Sequence, residues 1–175
     1  EEGRYDFSTV DYLLKSARAN GQKLILLWFG SWKNSMSCYA PSWVKRGFNS
    51  EFELAANSDG SIPEIMSAFS ERNVRADAKA FASLMKYIRK ADGSEGTVIM
   101  VQVENEIGML GDARDHSRLA QNAYNSPVPY DMMYMLTSGK ANEHINDVWK
   151  AAGKATTGSW KEVFGSSLEA DEIFM

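Results

Sequence analysis

The run Thr97-Val98-Ile99-Met100-Val101-Gln102-Val103-Glu104-Asn105-Glu106-Ile107-Gly108 constrains this chain more than any other stretch. Mostly β-branched and apolar residues lead without a break into Glu-Asn-Glu-Ile-Gly. A near-continuous apolar run of this length, opened by Gly96, reads as a strand buried on both faces. Polar groups gathered at the C-terminal end of such a strand need a reason, because in parallel α/β folds that end is where ligands bind and catalytic groups sit. Two carboxylates and an amide there suit acid–base chemistry on a hydroxyl-rich substrate.

The rest of the chain repeats the pattern. Val10, Leu13, Leu14 and Ala17 fall at helical spacing, with Ser8 as the predicted N-cap and Gly21 as the stop. Leu24 to Phe29 reads as a second buried strand ended by Gly30. Pro41 to Lys45 starts a short helix. Residues 48–63 look irregular, with Asn57-Ser58-Asp59-Gly60 as a turn. A longer helix is predicted over Glu71 to Ala91, with Val74, Ala78, Phe81, Met85 and Ile88 on its apolar stripe. The organising strand follows. Beyond Gly108 the chain is polar and irregular through His116, then short helices open at Pro129, Glu143 and Ser159. The order is that of repeated α/β units with parallel strands.

Composition narrows the partners. The net charge is −4 with no basic block, which argues against nucleic acid, whose phosphates call for clustered Lys and Arg. No apolar run reaches the ~18–20 residues of a membrane span. A lone cysteine, Cys38, allows no internal disulfide. His116 and His144 lack metal-ligand spacing and read as solvated, and no phosphate loop is present, so neither metal nor cofactor is expected.

Only two strands can be counted, yet each is apolar on both faces and so expects neighbours on both sides. Unpaired edges beside exposed apolar surface are a liability. The expectation is therefore that residues 1–175 form one part of a larger domain, with further strands encoded before and after.

At Val101 to Gly108 the chain resembles the acid/base strand of family 35 β-galactosidases, where a Gln-Val-Glu-Asn-Glu-aromatic-Gly run is typical; Ile107 takes the aromatic place, as in family 42-like and bacterial family 35 members. Glu1 to Phe7 is similar to the stretch after the second strand of those enzymes. Leu26 to Asn34, continuing to Pro41, is similar to their third strand and loop. The resemblance implies a partial (β/α)₈ TIM barrel, about strands three and four with their helices, truncated at both ends. It implies a retaining glycosidase that releases terminal β-galactosyl residues from a carbohydrate substrate, with an exported bacterial parent. Glu106 would be the general acid/base, protonated when the glycosidic oxygen departs. The nucleophile glutamate would lie outside the fragment, which alone should be inactive. Asn105 would bond the sugar 2-OH.

Glu104 could bond a galactose hydroxyl or be a structural carboxylate paired inside the barrel. Strand alternation sets Gln102, Glu104 and Glu106 on one side. Glu104 and Glu106 do not make the catalytic pair, because one strand cannot present both roles on opposite sides of the anomeric carbon. Trp32 could stack on a sugar face, and Lys33 and Asn34 could bond hydroxyls; each could equally be ordinary loop packing. Asp112, Arg114 and Asp115 read as a salt-bridged loop. Rival readings are a non-catalytic carbohydrate-binding barrel and another member of the same clan, such as a mannanase or cellulase.

Overall fold

The structure, a computed structural model, describes residues 2–45 and 51–175. The chain divides into two compact units: residues 1–53 with 64–107, and residues 54–63 with 108–175. The predicted irregular segment begins at residues 48–50, which lie outside the described residues.

The first unit is mixed α/β. Helix α1 (Ser8–Ala19) leads to strand β1 (Leu24–Trp28), then to a short helix α2 (Ser42–Lys45), a long helix α3 (Glu71–Asp92) and strand β2 (Val98–Val103). The two strands pair in parallel, with Leu26 opposite Val101 and Trp28 opposite Val103. This is the parallel arrangement that the alternating order of elements predicts. No barrel is formed by the described residues, which contain this one two-stranded sheet.

Both strands depart from the expected burial. Ile25, Leu27, Ile99, Met100 and Val103 are each 55–60 % exposed. A strand is buried on both faces only when layers cover both. Here α3 packs on β1 from one side: the Trp28 and Phe81 rings lie 5.5 Å apart, and the Trp28 indole donates to Asp77.

Helix boundaries follow local chemistry, with two corrections. Ser8 is the first helical residue of α1 and not its N-cap, which is Phe7; the Ser8 N–H donates to Asp6 Oδ1. In α3 the N-terminal half is turned relative to the expected stripe. Val74 and Ala78 are exposed, while Asn73 and Asp77 face inward. Polar atoms decide this: Asn73 Nδ2 donates to the Glu53 and Ser67 carbonyls at 2.7 and 2.9 Å, which a valine could not do. Ser70 caps the helix through Asn73 N–H.

The α1–α3 side of this unit is pinned at both ends. Phe7 stacks on Tyr87 at 4.3 Å, and the Tyr87 hydroxyl donates to Asp11. At the other end Asp92 is buried and accepts from Arg18 Nη2 at 2.6 Å and from the Val98 N–H at 2.7 Å. Burial alone would raise its carboxyl; the hydrogen bonds from Thr97, Val98 and Arg18 outweigh this and hold it at about 2. That carboxylate fixes the start of β2.

The second unit is helical: α4 (Arg118–Tyr124), α5 (Tyr130–Thr137), α6 (Glu143–Ala151), α7 (Trp160–Phe164) and α8 (Leu168–Phe174). Its core gathers Val128, Met133, Leu136, Trp149, Val163, Phe164 and Ala170. Ser159 and Glu162 form the capping box that their spacing predicts. Helix α4 is an addition to the sequence reading; Ser117 caps it through the Ala120 N–H. Arg114 is buried, bonds Asp171 at 3.0 Å and lies 4.0 Å over the Tyr124 ring. Asp115 is fully buried and accepts from Ala56 and Ser117. His116 is half-buried, not solvated, with Nε2 3.7 Å from Asp112.

Candidate functional site

The polar end of β2 does not continue the strand. Regular pairing stops at Val103, and Glu104 and Glu106 adopt positive φ values of 57° and 42°. Left-handed backbone costs a non-glycine residue roughly 1–2 kcal/mol. The expected alternation of Gln102, Glu104 and Glu106 along one face therefore fails, because a period of two requires extended backbone at every step.

Several bonds hold this exit in place. The Glu104 N–H donates to the Trp28 carbonyl at 2.7 Å. Its side chain accepts two backbone N–H groups from the loop after β1: Ser31 at 3.1 Å on Oε1 and Trp32 at 2.6 Å on Oε2. Asn105 adds three more bonds. Its N–H donates to the Trp32 carbonyl at 3.1 Å, its Nδ2 donates to the Lys33 carbonyl at 2.9 Å, and its Oδ1 accepts from Gln102 Nε2 at 2.8 Å. Glu104 and Asn105 thus bind the end of β2 to the loop that leaves the neighbouring strand. The alternative of Glu104 as a paired structural carboxylate describes what its side chain does here.

Behind Glu104 stands Asp77 of α3. Its Oδ1 accepts from the Trp28 indole at 3.0 Å and its Oδ2 from the Ser31 hydroxyl at 3.2 Å. Burial, followed by hydrogen bonding with Asp77, pushes Glu104 up to about 7, against the lowering pull of the Ser31 and Trp32 N–H groups. Asp77 was missing from the sequence reading. Its signal was legible: it lies four residues before Phe81, on the inward side of an amphipathic helix, where an aspartate needs a partner.

Glu106 differs from both. It is exposed, and its carboxylate has no hydrogen-bond partner among the described residues. Of the loop candidates, Trp32 is 4 % exposed, so its indole offers no open ring face in this structure and packs instead. Lys33 is half-buried, with its N–H on the Ser37 carbonyl at 3.0 Å. Asn34 Oδ1 accepts from the Met36 N–H and the Ser37 hydroxyl at 3.0 and 2.9 Å, closing the loop on itself. Cys38 is buried, which pushes its thiol up and keeps it inert.

A cleft of about 660 Å³ lies along the flank of β1, walled by Trp28, Phe29, Tyr39, Trp43, Phe52 and Asp77 among others. Glu104, Asn105 and Glu106 are not on its wall. Among the described residues no group of three or more His, Cys, Asp or Glu could hold a metal ion. No helix there is long and apolar enough to cross a membrane.

In comparisons with known proteins, no family model matches this chain, and no curated protein matches it. The candidate site therefore stands on its own geometry.

Proposed function

We propose that this chain is part of a retaining, β-galactosidase-like glycoside hydrolase, with Glu106 as general acid/base. In this reading β1 and β2 are the third and fourth strands of a (β/α)₈ barrel, and the nucleophile glutamate belongs to another part of the full-length protein. One observation carries the proposal. At the C-terminal end of two adjacent parallel strands, an exposed carboxylate with no partner among the described residues follows directly on two residues whose polar atoms are committed to holding its backbone. Strained backbone kept in place by its surroundings is a mark of functional positions.

The chemistry follows from that placement. Glu106 would give its proton to the departing glycosidic oxygen. It would then take one from the water that releases the glycosyl group from the nucleophile. The second carboxyl must approach from the opposite side of the sugar, roughly 5–5.5 Å away, which is why Glu104 does not fill that role. Asn105 keeps one free N–H on Nδ2 and spare lone-pair capacity on Oδ1, enough to meet a sugar hydroxyl while still holding the loop. The exposed apolar side chains Ile25, Leu27 and Met100, which share one face of the sheet, support the barrel reading, since the interior of such a barrel is filled with apolar side chains.

The test uses the full-length protein. Glu106→Gln should lower kcat/KM for a β-galactoside with a poor leaving group by ~10²–10⁴-fold and spare most of kcat/KM for one with an activated aryl leaving group, whose departure needs no proton. Equal, small losses on both substrates would remove Glu106 from the role.

A further inference from the structure

We infer that Asp77 is a positioning residue: it shares a single proton with Glu104, and the joined pair locks the loop after β1 onto the left-handed turn that presents Asn105 and Glu106. The consequence for turnover rests on the glycosidase reading; the proton sharing does not.

Three geometric facts point this way. First, the pair is bridged by one residue. Ser31 gives its hydroxyl to Asp77 at 3.2 Å and its N–H to Glu104 at 3.1 Å, so both carboxyls are aimed at the same place. Second, the approach is built into the backbone. A Cβ at position 30 would meet Asp77 Oδ1 at 2.2 Å and Trp28 Nε1 at 3.0 Å, so only glycine leaves room for the aspartate. Third, among the described residues every other donor around the pair is neutral: the Trp28 indole, the Ser31 hydroxyl and the two N–H groups of Ser31 and Trp32. Two carboxylates in contact cannot both stay ionised without a cation between them. Among the described residues the titratable groups facing Glu104 are Asp77 from α3 and the Cys38 thiol from the loop after β1; Cys38 in turn faces Lys45 and Glu64. None of these supplies a cation in contact with the pair, so a proton takes that place. It sits between Asp77 and Glu104, leaving the Glu104 oxygens to accept from Ser31 and Trp32.

The deciding experiment is a carboxyl-carbon NMR titration of the protein labelled at glutamate. Glu104 should titrate near pH 7, as burial and Asp77 dictate. In Asp77→Asn the new amide can donate to an ionised Glu104, so the midpoint should fall by about 1–2 pH units or more. A wild-type midpoint in the ordinary carboxylate range, or one unmoved in Asp77→Asn, overturns the inference. Should Asp77→Asn not fold, Glu104→Gln gives the second reading. The Ser31 and Trp32 amide resonances should shift with a midpoint near pH 7 in the wild type and lose that step in the variant; persistence of the step overturns the sharing. The glycosidase reading fails separately: it falls if Glu106→Gln leaves turnover intact, whatever Glu104 does with pH.

Discussion

The Asp77 carboxylate lies against the α-carbon of Gly30, so close that a methyl group there would stand 2.2 Å from Oδ1. Gly30→Ala should therefore be destabilising by about 1–3 kcal/mol, the usual range for forcing a methyl into filled space. Urea denaturation would measure it. In an Asp77→Ala background the same change should cost less, because the obstructing atoms are gone; additive losses would separate the two positions.

Stability should fall as pH rises from about 4 to beyond 7. Glu104 titrates near 7 in the folded chain and near ~4.3 when unfolded, so the folded state binds the proton more tightly. Its contribution is complete below the unfolded value and lost as pH climbs through the folded one. The side chain is partly exposed, which limits the effect to about 1–3 kcal/mol. Chemical denaturation at pH 5 and pH 8 should show the difference, and Asp77→Asn should shrink it.

Asp92 has the opposite sign. Its folded value of about 2 lies below the ordinary aspartate value, so its contribution is present above pH ~4 and lost as pH falls toward 2. Asp92→Ala leaves the Val98 N–H and Arg18 without their acceptor and should cost about 1–3 kcal/mol at neutral pH. Hydrogen exchange should then speed up first at the Val98 amide.

Glu106→Gln should leave stability within about 0.5 kcal/mol, since the side chain is exposed and bonds nothing among the described residues. A large turnover loss with an unchanged denaturation midpoint is the expected signature of a group that works on substrate. A large stability loss would mean that the side chain has a structural partner.

In the helical unit, Arg114→Ala should cost about 3–5 kcal/mol because it strands Asp171 and removes the cation from the Tyr124 face. Arg114→Lys should recover only part of this, as an ammonium cannot both bond Asp171 and lie flat on the ring. Thermal unfolding of the two variants compares them.

Local chemistry carries much of this molecule, and the amino-acid order shows it. The helices at Ser8, Glu71, Glu143 and Trp160, the turn at Asn57 to Gly60 and the parallel pairing of Leu24–Trp28 with Val98–Val103 all follow from periodicity, caps and glycines. These signals act over a few residues, so they survive without knowledge of the rest. The cluster Glu104-Asn105-Glu106 is equally plain in the sequence. What each member does is not. Glu104 becomes a clamp only because Ser31, Trp32 and Asp77, distant in the chain, converge on its two oxygens. Asp77 faces inward only because Trp28 and Ser31 give it donors, and Glu106 stays exposed only because the backbone turns left-handed at positions 104 and 106. Pattern places residues on elements; the roles of carboxylates depend on which donors tertiary contacts bring within hydrogen-bond reach, and those belong to no single stretch of chain.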